Sequence, residues 1–67
     1  MATIVHVIEV LAESDQSWDA AAQRAVEEAS KTLRHIRSIY GKEFEADVSD
    51  GKITQYRLNA QVSFDHD

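Results

Sequence analysis

The sequence predicts a small α+β domain whose elements follow the order β-α-β-β. Side chains alternate between apolar and polar over about twelve residues near the end of the chain, which indicates a half-buried strand. A stripe of apolar residues with helical spacing lies earlier in the chain, and an Asp-Gly pair marks a tight turn. We therefore expect one domain, residues 1–67, in which a three-stranded antiparallel sheet wraps around one helix.

The last strand begins near Ile53 and has two distinct faces. One face carries Thr54, Tyr56, Leu58, Ala60, Val62 and Phe64. The other carries Gln55, Arg57, Asn59, Gln61 and Ser63. Alternation with a period of two is typical of an antiparallel strand with one face against a core.

The first strand and the helix precede it. Residues 3–11 are rich in β-branched side chains and predict a strand, and residues 12–17 form a short connector in which Ser14 or Ser17 can cap a helix. We expect the helix to run from about Ser17 to Leu33. Its predicted apolar stripe consists of Trp18, Ala22, Ala25, Val26, Ala29, Leu33 and Ile36. We interpret Trp18 as a core anchor.

The second strand is predicted from about Ile36 to Val48. Residues 49–52 then form the hairpin, since Asp50 and Gly51 supply the positive φ angles of a two-residue turn.

The predicted strands are longer than the helix that should cover them. A strand of about twelve residues extends about 40 Å at 3.3 Å per residue, whereas a helix of about 17 residues extends about 25 Å. Chains of this length, 67 residues, usually need a disulfide, a metal or association with other chains, and the sequence contains no cysteine. We therefore expect copies of the chain to cover the remaining apolar surface.

Composition argues against several functional classes. The formal charge is −5 at pH 7 and no segment is strongly basic, so we expect neither a nucleic-acid nor a membrane partner and predict a cytoplasmic protein. Two glycines cannot form a glycine-rich phosphate loop, no Ser-His-Asp set stands in a recognisable context, and there is no proline to act as an N-terminal base. We expect no catalytic activity.

Three segments together resemble one family. They are Glu13 to Val26 (ESDQSWDAAAQRAV), Lys31 to Ile36 (KTLRHI) and Gln61 to Phe64 (QVSF), and they resemble the dodecins over essentially the whole chain. This resemblance implies a βαββ subunit, a hollow homododecameric cage, and a role in binding or storing a small ligand. Many dodecins hold a flavin such as riboflavin or FMN between subunits.

The positions that match the family's flavin pocket are Arg37, Ser38 and Arg57. Flavin-binding dodecins have a tryptophan that stacks on the isoalloxazine ring early in the second strand, where this chain has Ser38. They also have a glutamine that bonds the polar edge of the flavin, where this chain has Arg57. The chain thus resembles more closely the members that lack the stacking tryptophan. An altered or rebuilt flavin pocket is one hypothesis.

A divalent-cation site for calcium or magnesium is the alternative. Glu43, Glu45 and Asp47 alternate along one face of the second strand, and carboxylate oxygens are the ligands that these ions prefer. The same spacing is also typical of a solvated acidic strand. Further acidic residues lie in the hairpin and near the end of the chain, at Asp50, Asp65 and Asp67.

The three histidines are not expected to bind a transition metal. His6, His35 and His66 have neither the H-x-H nor the H-x-x-x-H spacing that would bring two imidazoles together. We interpret His35 as a residue placed at the negative end of the helix dipole. A structural assembly that binds nothing specific remains a further possibility.

Overall fold

A computed structural model describes residues 4–65, so His66 and Asp67 lie outside the described residues. Strand β1 comprises Val5–Ser14, helix α1 Trp18–Ala29, strand β2 Ile36–Ser49 and strand β3 Lys52–Asp65. The order β-α-β-β is the predicted one. All three strands belong to a single antiparallel sheet in the order β1-β3-β2, so that β3 is central.

The core lies between α1 and one face of β3. Leu58, Ala60 and Val62 are buried on this face, and Ala21 of α1 packs against the first two. Alanines at this contact leave little side-chain volume between the layers, which lets the helix lie close to the sheet. The predicted core face of β3 is therefore confirmed.

Helix α1 is shorter than predicted. Ser17 caps its first turn, since its Oγ accepts a hydrogen bond from the Ala20 N–H over 2.9 Å. The helix ends at Ala29, four residues before the predicted Leu33, and the chain continues in turns to Ile36, the first residue of β2. Ser30 contributes to this end, because its hydroxyl donates to the Val26 carbonyl over 2.7 Å.

His35 does not lie at the helix end. It has a φ of 56°, a left-handed conformation that redirects the chain into β2. The interpretation of His35 as a partner of the helix dipole is therefore wrong, because His35 lies six positions after Ala29, the last helical residue, and the dipole acts only over the last turn.

Strand β1 extends beyond its predicted end at residue 11. Ala12 pairs with Leu58 and Ser14 pairs with Tyr56, although alanine and serine have little intrinsic preference for strands. Pairing with β3 supplies the hydrogen bonds that maintain these residues in the sheet.

The β2–β3 hairpin has the predicted turn, with positive φ at Asp50 (52°) and at Gly51 (75°). A bulge between Gly41 and Glu43 places Lys42 as an extra residue in β2. Gly41 pairs with Ala60 on the helix side, whereas Glu43 pairs with Asn59 on the opposite side. Because of this extra residue, Glu43, Glu45 and Asp47 lie on the side of the sheet that faces away from the helix.

Much apolar surface remains uncovered in the single chain. Strands of 14 residues extend about 46 Å, and a helix of 12 residues extends about 18 Å. The longest dimension of the chain is 52 Å. The most exposed large apolar side chains are Ile4, Val7, Leu11, Tyr40, Phe44 and Val48.

Candidate ligand-binding face

The sheet surface turned away from α1, here called the helix-free face, carries most of the charged side chains of the strands. β1 contributes Glu9, Leu11 and Glu13, β2 contributes Ser38, Tyr40, Glu43, Glu45 and Asp47, and β3 contributes Gln55, Arg57, Asn59, Gln61 and Ser63. Alternation along the strands places these residues together, and the bulge at Lys42 brings the acidic half of β2 to this side.

Arg57 of β3 lies at the centre of a cluster of carboxylates from β1 and β2. Its Nη1 lies 2.8 Å from Oε1 of Glu45, and its Nη2 lies 3.0 Å from Oδ2 of Asp47. The same Nη2 lies 3.3 Å from Oε2 of Glu13 on the other neighbouring strand. We call Glu13, Glu45 and Asp47 the Arg57 cluster.

Electrostatics within the cluster favour the charged guanidinium. Hydrogen bonds to Glu45 and Asp47, together with the negative charges of Asp47 and Glu13, raise the pKa of Arg57 above its already high ordinary value, although partial burial acts in the opposite direction. The Arg57 side chain is 24% exposed, whereas the three carboxylates are between 45% and 68% exposed. The Arg57 side chain is therefore less exposed than the three carboxylates that it contacts.

Weaker polar contacts surround the cluster. The Asn59 amide donates to Oε1 of Glu43 over 3.3 Å, so Glu43 has a neutral partner on β3. Lys42 lies 3.3 Å from Glu9 across the sheet. A cleft of about 320 Å³ lies beside these groups and is lined by Leu11, Glu43, Phe44, Glu45, Arg57 and Asn59.

Trp18 connects the helix to this part of the sheet. Its Nε1–H donates to the Glu45 carbonyl over 3.1 Å, and its ring makes edge-to-face contacts with Phe44 and Tyr56 at centroid distances of 6.0 and 4.9 Å. Trp18 also packs against the buried cluster of Leu58 and Ala60, in agreement with its interpretation as a core anchor.

The predicted flavin-pocket positions are not brought together within one chain. Ser38 is exposed and pairs with Ser63, six residues along β3 from Arg57, which corresponds to about 20 Å. Arg37 lies near Ser38 and its Nη1 is 3.5 Å from Oδ1 of Asp65. A pocket that used both Ser38 and Arg57 would therefore need residues of more than one chain.

The predicted metal residues do share one face but do not form a metal site in one chain. Glu45 and Asp47 contact Arg57, and Glu43 contacts Asn59. Within residues 4–65 there is no group of three His, Cys, Asp or Glu side chains placed to hold an ion. The cation site stays a prediction, and it would need carboxylates from several copies of the chain.

Glu13 was not among the sequence-predicted site residues. It contacts Arg57, 44 residues later, only because β1 pairs with β3 in a register that puts the two opposite one another. No local pattern in the sequence indicates that register.

An apolar groove of about 470 Å³ lies between β1 and α1. Its walls include Ile8, Val10, Ala25, Ala29 and Leu33. It reaches Leu11 and Glu13 at the edge of the helix-free face, but none of the predicted site residues lines it.

Comparison with known proteins identifies the family. The family model described as Dodecin matches residues 4–67. The chain belongs to the dodecin family. The dodecin of Thermus thermophilus is 28% identical over 64 residues, which are 96% of this chain and 93% of that protein.

Solved dodecin structures have the same fold. A variant of the T. thermophilus dodecin superposes with a TM-score of 0.90 at 26% identity, covering 98% of each chain. The protein described as the calcium-chelating immunodominant antigen, calcium dodecin, of Mycobacterium tuberculosis has a TM-score of 0.80 at 33% identity, covering 97% of this chain and 93% of that one. The predicted βαββ fold is thus confirmed.

Family membership settles the general class of function. Dodecins are non-catalytic, homo-oligomeric proteins that bind small ligands, and flavins and calcium are both known ligands in the family. This dodecin is therefore a ligand-binding protein and not an enzyme. None of the described residues, 4–65, belongs to a helix that is long and apolar enough to span a membrane.

Proposed function

We propose that this dodecin forms a homododecameric cage that binds or stores a small ligand, and that its flavin pocket is altered so that flavins bind weakly. The observation that carries the proposal is the set of ion pairs between Arg57 and Glu13, Glu45 and Asp47. A guanidinium held by three carboxylates has little capacity left for a ligand. It also cannot accept a hydrogen bond, unlike a glutamine side chain.

Ser38 weakens flavin binding for a second reason. A serine has no π face, so the stacking that a tryptophan supplies to a flavin ring is absent, a loss of about 1–3 kcal/mol per ring by analogy with aromatic–base stacking. The exposed hydroxyl of Ser38 offers one donor and an acceptor but little apolar contact area.

The test is a fluorescence titration of the assembled protein with riboflavin and with FMN. We expect no saturation at micromolar concentrations for the wild type. Ser38→Trp restores the stacking face, Arg57→Gln restores an amide in β3, and the double variant should bind at least tenfold more tightly than the wild type. The single variants serve as controls. Nanomolar binding by the wild type would refute the proposal.

A second candidate function is binding of a divalent cation, and two observations favour it. The helix-free face places five carboxylates near two cationic side chains: Glu9, Glu13, Glu43, Glu45 and Asp47 near Lys42 and Arg57. A relative at 33% identity is described as a calcium dodecin with a calcium-binding site. Symmetry in a cage could bring copies of Glu43, Glu45 or Asp47 together, so that each chain need supply only one or two oxygens.

Thermal unfolding tests this candidate. Calcium that binds the native cage raises the unfolding midpoint in a concentration-dependent way, because the ligand prefers the native state. The measurement compares millimolar calcium chloride with sodium chloride at equal ionic strength, in the wild type and in Glu43→Gln. Equal shifts in both salts would mean general screening of a −5 chain and would exclude a specific site.

A further inference from the structure

We infer that the outer edge of β1 pairs with β1 of a second copy, antiparallel and about a twofold axis at Val10, and that this pairing closes the groove between β1 and α1. The inference rests on the proposed homo-oligomer and goes beyond it, because it assigns the edge and the register at which two copies meet. It does not depend on which ligand binds.

Of the two outer strands, β1 has the edge better suited to accept another strand. Within residues 4–65, β1 and β2 each pair with β3 alone, so each has one edge that no other strand covers. β1 pairs with β3 in one unbroken register over its ten residues, whereas the pairing of β2 has three irregularities. β2 also carries five Lys, Arg, Asp or Glu side chains, and β1 carries two. Bulges and charges at an edge hinder the addition of a strand, while a long, regular and apolar edge favours it.

The groove of about 470 Å³ lies along this edge of β1 and has a mostly apolar lining. Ile8 and Val10 line it from the strand, and Ala25, Ala29 and Leu33 line it from the helix side. A strand added to β1 would direct its own helix-side residues into this space, since opposite residues of antiparallel strands point to the same side. In a second copy these residues are again Ile8 and Val10. The surface is therefore complementary to itself, which is what a twofold interface requires.

The two glutamates of β1 limit the position of the axis. The axis must pass through a residue, because an axis between two residues would place the helix-side residues of one copy opposite the outward residues of the other. An axis at Glu9 would place this residue opposite its own copy. An axis at Leu11 would place Glu9 opposite Glu13. Both registers put like charges directly opposite each other, which is destabilising.

An axis at Val10 avoids these like-charge pairs and aligns the longest part of the strand. It places Glu9 opposite Leu11 and Glu13 opposite Val7, so that each glutamate has an apolar neighbour. Nine residues of β1, 6–14, then form pairs with the second copy. An axis at Ile8 also separates the glutamates, but it aligns only the seven residues 5–11. The register centred on Val10 is therefore the favoured one.

The charges beside the groove also suit a twofold contact. Arg24 and Glu28 line the groove, lie about one turn apart on α1 and pair with each other over 3.0 Å. The twofold axis would bring two helices side by side in opposite directions, so their charges would follow in opposite order, with arginine towards glutamate. Unlike charges across an interface favour its orientation over others.

Disulfide cross-linking tests the register, because the sequence contains no cysteine and an introduced thiol is the only one in its chain. In Val10→Cys, the two thiols lie opposite each other on the axis, with Cα atoms about 4.5–5.5 Å apart, a distance that a disulfide spans. Ile8→Cys is the matched control, since its two copies lie about 13 Å apart along the strands, which is too far. After treatment of the assembled protein with oxidised glutathione, we expect roughly fivefold more covalent dimer, twice 7.5 kDa, in Val10→Cys than in Ile8→Cys.

Two further measurements decide the question if circular dichroism shows Val10→Cys unfolded. Ile8→Cys combined with Ala12→Cys places thiols directly opposite each other in the same register, so the double variant should cross-link where Ile8→Cys alone does not. In the wild type, hydrogen exchange should show protected amides on both sides of β1 over residues 6–14, since both sides then face a strand.

Light scattering of the reduced variants separates failure of this inference from failure of the proposed cage. A particle of about 90 kDa, twelve times 7.5 kDa, that shows no cross-linking in folded Val10→Cys would overturn the inference and leave the cage intact. A dimer of twice 7.5 kDa that cross-links in Val10→Cys would support the inference and refute the cage. Equal cross-linking of Ile8→Cys, or rapid exchange of every second β1 amide in the wild type, would also overturn the inference.

Discussion

The indole Nε1 of Trp18 donates a hydrogen bond to the backbone carbonyl of Glu45 over 3.1 Å, across 27 residues of sequence. Trp18 is the first residue of α1, and Glu45 lies in β2 beside Arg57. The contact therefore fixes the start of the helix against the half of the sheet that carries the Arg57 cluster. Edge-to-face packing on Phe44 and Tyr56 adds to this restraint.

Trp18→Phe should lower the free energy of unfolding by about 1–3 kcal/mol, because it removes the hydrogen bond and part of the ring. Trp18→Ala should cost more, about 3–5 kcal/mol, since the aromatic contacts are also lost. Urea unfolding followed by circular dichroism, at one protein concentration, measures both values. A Trp18→Phe variant as stable as the wild type would contradict the role given to the hydrogen bond.

The hairpin turn provides a second prediction. Asp50 has a φ of 52°, a left-handed conformation that costs most residues about 1–2 kcal/mol but that asparagine tolerates well. Asp50→Val should therefore lower stability by about that amount, while Asp50→Asn serves as a control and should leave it unchanged. The readout is the thermal unfolding midpoint. If valine and asparagine behave alike, the turn differs from the one described.

Assembly is the third prediction. We expect a mass of about 90 kDa in solution, twelve times 7.5 kDa, because the exposed apolar side chains of the single chain need a partner surface. The unfolding midpoint should also rise with protein concentration, since association stabilises the folded state by mass action. Light scattering that found a stable monomer at micromolar concentration would exclude the cage.

Alkaline pH distinguishes Arg57 from a lysine at the same position. The pKa of Arg57 is raised in the folded state, so its contribution to stability is fully present below its ordinary pKa and is lost only when pH rises through the still higher folded value. In Arg57→Lys, an ammonium with an ordinary pKa of about 10.4 takes its place. Between about pH 9 and 11, we expect this variant to lose more stability than the wild type.

Urea unfolding at several pH values measures that difference. The two proteins differ only at position 57, so the wild type supplies the background. Parallel loss of stability in the two proteins would indicate that the charge at position 57 contributes little.

Local patterns predicted the parts of the fold that depend on neighbouring residues. The alternation in β3 identified its buried face, and Asp50-Gly51 identified the hairpin, because strand facing and turn type are set within a few residues. The helix end was predicted too late, since the spacing of Leu33 and Ile36 continues the apolar stripe beyond Ala29. Nothing local distinguishes that continuation from a connection that leads into β2.

The candidate site was only partly predictable. Alternation placed Glu43, Glu45 and Asp47 on one face of β2, but the bulge at Lys42 determined which face, and the sequence pattern does not specify a bulge. The resemblance to the dodecins identified Arg57 as a position of the flavin pocket. Its partner Glu13 depends on pairing between strands that are distant in sequence, which a single sequence does not reveal.

The central position of β3 has a consequence for how the chain folds. Within residues 4–65, β1 pairs with β3 alone, and Val5 pairs with Asp65, 60 residues later. Long loops must close before such contacts form, which slows them relative to the local β2–β3 hairpin. We expect β1 to join the sheet last, so during synthesis its apolar residues stay unpaired until the ribosome has released residues 52–65. We therefore expect the exposed apolar residues of β1, more than those of any other strand, to determine how strongly the nascent chain binds chaperones.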